Sequence, residues 1–378
     1  MIYLDNAATT LVKPPQVKKA VIRALDTCAN AGRGGHKGVI KAGIIAENCR
    51  QALCKLFNFD KPDNIIFTQN ATAALNIAIK ALAKPGSRAL VSSMEHNAVM
   101  RPLNKLRARQ GIELVQARAP LFDSAAFLKD FTNCAAGCDF AVINHVSNVF
   151  GWVLPIYEID RICAQNKLPL VIDASQSAGV IDLDFSRLAA TKFVCMPGHK
   201  ALYGPQGTGV LAILDDREYN TIIEGGTGSN SKDIYMPDFT PDRFEAGTLN
   251  MPGIAGLGAG VEYVLKTGVE RIRKHETGLV ARLADMLGQL KGVRVFAPEQ
   301  GETMAGVLSF YLPDLDCSAV ANHMNALDIA VRTGFHCAPE AHKTAGTLES
   351  GTVRVSVSAF NTNADILAFY RALEKLVK

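Results

Sequence analysis

Short apolar runs alternate along the chain with longer segments in which apolar residues recur every three or four positions. The runs at 64–67, 89–91, 112–115, 139–143, 168–172, 193–196 and 207–213 predict strands. Helical spacing predicts helices from Pro14-Pro15 to near Cys28, over about 41–57, and from an opening at 68–72 through AALNIAIKAL. Strands that are apolar at nearly every position are buried on both faces. Their alternation with helices predicts an α/β fold with a mostly parallel sheet between two helical layers.

Two stretches break this rhythm. AGRGGHKGV at 31–39 is too rich in glycine for a regular element, but Arg33, His36 and Lys37 give it polar reach. Residues 222–252 are dominated by Gly, Ser, Asp and Pro and predict a long irregular excursion, of the kind that is usually functional or interfacial. Beyond it the pattern is helical to about Leu290, with a break at Gly268. Strands at 293–296, 306–311 and 353–357 then mix with helices at 317–327 and 363–376. That is an α+β pattern. It predicts a large domain over 14–250 and a smaller one built from 1–13 and 251–378.

Composition narrows the function classes. With 378 residues, 48% hydrophobic, there is core enough for two domains and no disorder signature. The net charge of +4 is scattered, which argues against nucleic acid and against a membrane surface. The start, Met1-Ile2-Tyr3-Leu4-Asp5, has neither a basic nor a long apolar segment. Nine dispersed cysteines fit a reducing compartment, so a cytoplasmic location is expected. Cys134 and Cys138 are close, but no second pair completes a metal site.

The candidate chemistry sits at strand ends, where open α/β sheets bind ligands. Lys200 follows the run Phe193-Val194-Cys195-Met196 and the stop Pro197-Gly198. A desolvated lysine there is a candidate Schiff-base amine. Gly-His-Lys alone is more often a surface loop. Asp173 follows the strand at 168–172, and the pair of Asp and Lys at successive strand ends is far more specific than either residue. The turn Thr68-Gln69-Asn70-Ala71-Thr72 opens a helix, a geometry that holds a phosphate or serves as an ordinary cap. His96 and Asn148 lie just past two further strands. Together these supply what pyridoxal 5'-phosphate needs: an amine, an acid for the ring nitrogen, an anion site and a ring platform.

The motifs that carry this pattern are YLDNAATT (3–10), EHNA (95–98), NHVSNVFG (144–151), DASQS (173–177), GHK (198–200), RFEAGT (243–248), RTGFHC (332–337) and TVRVS (352–356). In their order the chain resembles fold-type I pyridoxal phosphate enzymes of the class V aminotransferase superfamily, and within it the second-class cysteine desulfurases and selenocysteine lyases. The resemblance implies that Lys200 carries the cofactor, Asp173 holds its pyridinium and Gln176 bonds its phenolic oxygen, near Asn148. It implies that His96 stacks on the ring, that Ala71, Thr72 and His199 hold the phosphate, and that Thr248 reaches the phosphate of a second subunit in a homodimer. Arg354 is implied to bind the carboxylate of an amino-acid substrate, with Arg332 and His36 as further substrate contacts. Cys337 is implied to accept sulfur as a persulfide when L-cysteine becomes L-alanine, with a sulfur-acceptor protein as a further partner. Selenocysteine lyase, another β-eliminating lyase, an aminotransferase or epimerase and a non-catalytic scaffold are the alternatives. Two positions depart from the pattern. Pro197 stands where relatives often have a phosphate-binding serine, and Gly334-Phe335-His336 precedes Cys337 where two histidines are typical.

Overall fold

A computed structural model describes residues 1–32, 34–298 and 302–377. Arg33 lies outside the described residues. In chain order the elements are β1 (Ile2–Tyr3), α1 (Pro15–Thr27), α2 (Lys37–Phe57), β2 (Ile65–Thr68), α3 (Ala71–Leu82), β3 (Arg88–Ser92), α4 (Asn97–Gln110), β4 (Glu113–Ala117), α5 (Ser124–Ala135), β5 (Phe140–Asn144), α6 (Ile156–Gln165), β6 (Leu170–Asp173), β7 (Thr191–Pro197) and β8 (Gly209–Ile213). They continue with α7 (Met251–Thr267), α8 (Val269–Gly288), β9 (Arg294–Phe296), β10 (Val307–Tyr311), α9 (Cys317–Ala326), β11 (Ile329–Ala330), β12 (Arg332–Gly334), α10 (Pro339–Ala345), β13 (Thr352–Ser356) and α11 (Asn363–Val377).

The apolar runs form a seven-stranded sheet of order β2-β8-β7-β6-β5-β3-β4, in which β8 alone runs against the rest. Period-two alternation sorts each strand between two cores. Val194 and Met196 of β7 face a core shared with α2, α5, α6 and α7, whereas Phe193 and Cys195 face one shared with α3 and α4. Strand β8 pairs antiparallel with β7 after the loop 198–208, which carries Lys200. It passes directly beneath α3: a Cβ on Gly209 would lie 2.7 Å from Asn70 Cα. The mostly parallel sheet is therefore as expected, as is the irregular path between β8 and α7.

Strand boundaries shift by one or two residues, as such boundaries do. Helix α2 departs more, because it starts at Lys37 inside the glycine-rich stretch. Gly38 is tolerated there, since first-turn N–H groups need no helical partner, and its carbonyl accepts from Ala29 N.

The smaller sheet is antiparallel, of order β12-β13-β10-β9, and packs on α8, α9 and α11 through Leu283, Phe310, Val353 and Phe369. Strand β1 pairs with β11, and Leu4 enters this same core. Helix α7 instead buries Met251, Ile254, Leu257 and Val261 in the large core. We propose that the smaller unit begins at Gly268, between α7 and α8, and not at the expected division after residue 250. No helix among the described residues is long and apolar enough to cross a membrane.

Candidate active site

Strand β7 runs through the interior and releases the chain at Gly198, whose N–H bonds Thr208 O at 2.9 Å. The two residues that follow are held from below by the N-terminal segment. The carbonyl of His199 accepts from Thr10 N, Thr9 Oγ1, Thr10 Oγ1 and Lys13 Nζ, and that of Lys200 accepts from Thr10 Oγ1. Burial drives the Lys200 amine down to about 8. The nearby Asp173 carboxylate opposes that shift and Arg354 adds to it. A substantial neutral fraction near neutral pH makes this amine a nucleophile and a base.

Lys200 forms part of the wall of a cavity of about 230 Å³ at the strand ends. Of the residues singled out in the sequence, Ala71, Thr72, His96, Asn148, Asp173, Gln176, His199 and Lys200 all line it. Asp173 ends β6. Its Oδ1 accepts from Ser175 N at 2.9 Å, and its Oδ2 has no hydrogen-bond partner among the described residues. His96 is the N-cap of α4 and accepts from Ala98 N through Nδ1 at 3.0 Å. The accepting nitrogen carries no proton, so a neutral ring has its N–H at Nε2. Burial lowers the pKa of His96, which favours that neutral form. His199 is lowered to about 4, by burial first and then by Lys200 and Lys13, and its Nδ1 pairs with Thr9 Oγ1 at 3.0 Å.

Ala71 and Thr72 open α3, where Asn70 Oδ1 caps Ala73 N at 2.9 Å. The first N–H groups of a helix have no carbonyl one turn earlier, so this end favours an anion. Pro197 also lines the cavity. Having no N–H and no polar side-chain atom, it brings no donor to the anion site.

Five expected residues lie elsewhere. Cys337 is exposed, in the loop after β12, with φ of 57° preceded by His336 at 47°. The loop is nonetheless tied to the cavity's rim: Cys337 O accepts from Asn97 N at 2.7 Å, and His336 O from Asn148 Nδ2 at 2.8 Å. Arg354 is only 2% exposed. It donates to Asn148 O and to Asp5 Oδ1, and its Nε is buried without a partner. Arg332 grips the same Asp5 carboxylate through Nε and Nη2. In this conformation Asp5 holds both arginines expected to meet a substrate. His36 is exposed at the start of α2. Thr248 is also exposed and lines separate surface hollows with Gly247.

The cavity has residues that the sequence reading passed over. Asn144, at the end of β5, lines it and is fixed by Met94 O and by the buried Glu95, whose Oε1 accepts from Asn144 N at 2.9 Å. Its place as the last polar residue of an apolar strand was the available signal. Asn70 and Ser175 flank motifs that were read, and position beside a motif is the signal they carried.

The sequence pattern of the aminotransferase class-V family matches residues 2–369. The chain is 32% identical over 387 residues to a probable cysteine desulfurase of Pyrococcus abyssi, covering 100% of this chain and 94% of that protein. It is 33% identical to a probable cysteine desulfurase of Xylella fastidiosa strain 9a5c, covering 100% and 91%. Among solved structures, the apo cysteine desulfurase of Thermococcus onnurineus superposes with a TM-score of 0.92 at 31% identity, over 99% of this chain and 94% of that one. A match along nearly the whole chain, together with full-length relatives above 30% identity, places the protein in the aminotransferase class-V family.

Proposed function

We propose that this protein is a pyridoxal-phosphate-dependent cysteine desulfurase that converts L-cysteine to L-alanine and passes the sulfur to Cys337 as a persulfide. The observation that carries this reading is the convergence of Lys200, Asp173 and six further expected residues on one cavity whose rim holds the Cys337 loop. The residues fit the cofactor. Asp173 has an oxygen to spare, the α3 N-terminus offers an anion site, and Lys200 supplies an amine of lowered pKa. Asp173 would pair with the ring nitrogen, Ala71, Thr72 and His199 would hold the phosphate, and His96 would stack on the ring, with Gln176 and Asn148 at the phenolic edge. When bound, pyridoxal phosphate supplies an electron sink for charge at the substrate's Cα.

Lys200 Nζ takes the proton from Cα while neutral and returns a proton to the product carbon. Asp173 would hold the ring nitrogen and orient the ring. The Cys337 thiolate attacks the substrate sulfur. The new S–S bond forms as the Cβ–S bond breaks, and Cβ takes up a proton. Arg354 orients the substrate carboxylate through its guanidinium once Asp5 shares it, and Arg332 holds Asp5 in place.

The exposed Thr248 lies away from its own chain's cavity, and this supports a homodimer in which Thr248 serves the partner's phosphate site. A sulfur-acceptor protein would meet the exposed Cys337 side. The test is a panel of cysteine, selenocysteine, cystine and serine, with alanine and sulfide both followed, for wild type and Cys337→Ser. Alanine from cysteine that depends on Cys337 supports the proposal. Undiminished cysteine turnover by Cys337→Ser contradicts it and leaves a β-eliminating lyase.

A further inference from the structure

Behind Lys200, on the side away from the main cavity, lies a second and smaller one. Ser175, Gln176 and Lys200 line both, so these three residues form the wall between them. The rear cavity measures about 30 Å³, room for about two water molecules. Glu276, from the middle of α8, lines it as well. This glutamate occupies a core position, 5% exposed, in register with Ile272, Leu279 and Leu283. Its carboxyl has no hydrogen-bond partner among the described residues. A buried carboxyl without a protein partner is costly unless water satisfies it or a proton neutralises it. Gly306 leaves space beside that carboxyl, since a Cβ there would stand 2.7 Å from Glu276 Oε2. Other polar groups lining the cavity include the Tyr203 hydroxyl, Gln176, Ser356 and Asn6.

We propose that water in the rear cavity links the Glu276 carboxyl to the Lys200 amine, so that Glu276 stores and returns the proton Lys200 handles during turnover. This rests on the reading that Lys200 is the reactive amine. Glu276 is then a positioning residue that acts through Lys200, because it does not touch substrate. In the transfer the O–H bond of Glu276 breaks and an N–H bond forms on Lys200. Each intervening water gives one proton and receives one. A neutral acid and amine become a carboxylate and an ammonium, with no net change in charge.

Burial acts on the two groups in opposite directions and brings their proton affinities together. It lowers Lys200 to about 8 and raises Glu276 to about 8, so both can exist in either protonation state near neutral pH. The titratable side chains that line this cavity are Glu276 from α8 and Lys200 and Tyr203 from the turn after β7. The residues that face it from β10 and β13 carry no titratable group. The charged groups that act on Lys200 are Asp173 of the main cavity, then Arg354 and Asp5.

The experiment follows the amine itself. In the cofactor-free full-length protein, trace acetylation of Lys200 by acetic anhydride is measured by peptide mapping from pH ~6 to ~10, for wild type and Glu276→Gln. If the two groups are linked, the ionised Glu276 holds the proton on Lys200. The isosteric glutamine, which carries no charge, then shifts the curve down by about half a unit, labelling on the order of threefold faster near the midpoint. In the loaded enzyme the same variant lowers kcat roughly tenfold with KM unchanged. Superimposable labelling curves overturn the proposal, whatever happens to thermal stability. Should Glu276→Gln fail to fold, a high-resolution crystal structure of the wild type decides. Ordered waters joining Glu276 to Lys200 support the link, and a dry cavity overturns it. Borohydride mapping of the cofactor-bearing lysine tests the underlying reading separately, because a label away from Lys200 would defeat that reading while leaving the acetylation curves interpretable.

Discussion

Two short loops present the two proposed nucleophiles, and they are built on different terms. The lysine loop, 198–204, is clamped. Five hydrogen bonds from Thr9, Thr10 and Lys13 reach two of its carbonyls. It contains a residue in the left-handed region, Tyr203 at φ 56°, but that side chain is fully buried among Tyr263 and Phe360. The cysteine loop, 335–338, has two consecutive residues in the same region, His336 and Cys337, each costing about 1–2 kcal/mol. The carbonyls of these two residues accept one bond each, from Asn148 and Asn97, the His336 ring pairs with Thr352 Oγ1, and the cysteine side chain is exposed. The difference matches what the proposed roles ask of each residue. An amine that attacks and deprotonates at one place benefits from a fixed position. A thiol that, as proposed, collects sulfur at the cavity and hands it on outside would have to travel, and segments that move are drawn from the weakly held parts of a fold.

The comparison breaks most completely at Lys200. Lys200→Ala should abolish turnover, a loss on the order of 10⁴-fold or more, because one residue serves as both attachment point and base. Covalent retention of cofactor after borohydride reduction measures it.

Cys337→Ser should lower alanine release from cysteine by roughly 10³-fold, since a hydroxyl is hardly ionised at neutral pH. Binding of cysteine should survive, measured by the spectral change on mixing. Survival of binding separates this loop from the lysine loop.

Acid should loosen the cysteine loop. Burial first, then the Arg354 charge, lowers His336 to about 2 from an ordinary value near 6.5. A base held neutral in the closed loop binds a proton once the loop opens. The closed form therefore keeps its full stability above about pH 6.5 and loses it as pH falls. At about pH 5, opening should be favoured roughly 30-fold. Hydrogen-exchange protection of the Ala338 amide reads this directly, and His336→Gln should flatten the dependence.

The smallest effect sharpens the clamp. Thr10→Val removes one hydroxyl that bonds both the His199 and Lys200 carbonyls at 3.1 Å. A cost of about 1–2 kcal/mol is expected, with kcat lower by about tenfold if the clamp fixes Lys200 in place. Chemical denaturation and steady-state kinetics together separate the two contributions.

What could be read from the sequence divides along the same line. Strand-end residues were legible, because an apolar run announces the strand and the next polar residue falls at its end. Asp173 and Lys200 stand out that way, and the structure brings them to one cavity. The supports were not legible. Asp5 meets Arg332 and Arg354 across most of the chain's length, and Thr10 bonds carbonyls that any residue would carry. Two-residue strands such as β1 and β11 are too short for periodicity to register. Glu276 did leave a trace, a charge within the apolar stripe Ile272, Leu279, Leu283 of α8. Reading that stripe residue by residue would have exposed it.

The most direct test of a fixed amine and a travelling thiol is the mass of the peptide bearing Cys337 after a single turnover with L-cysteine and no acceptor present. The account predicts one added sulfur on Cys337, formed in step with one alanine per active site. Alanine released at the wild-type rate with no sulfur gained on that peptide would contradict it.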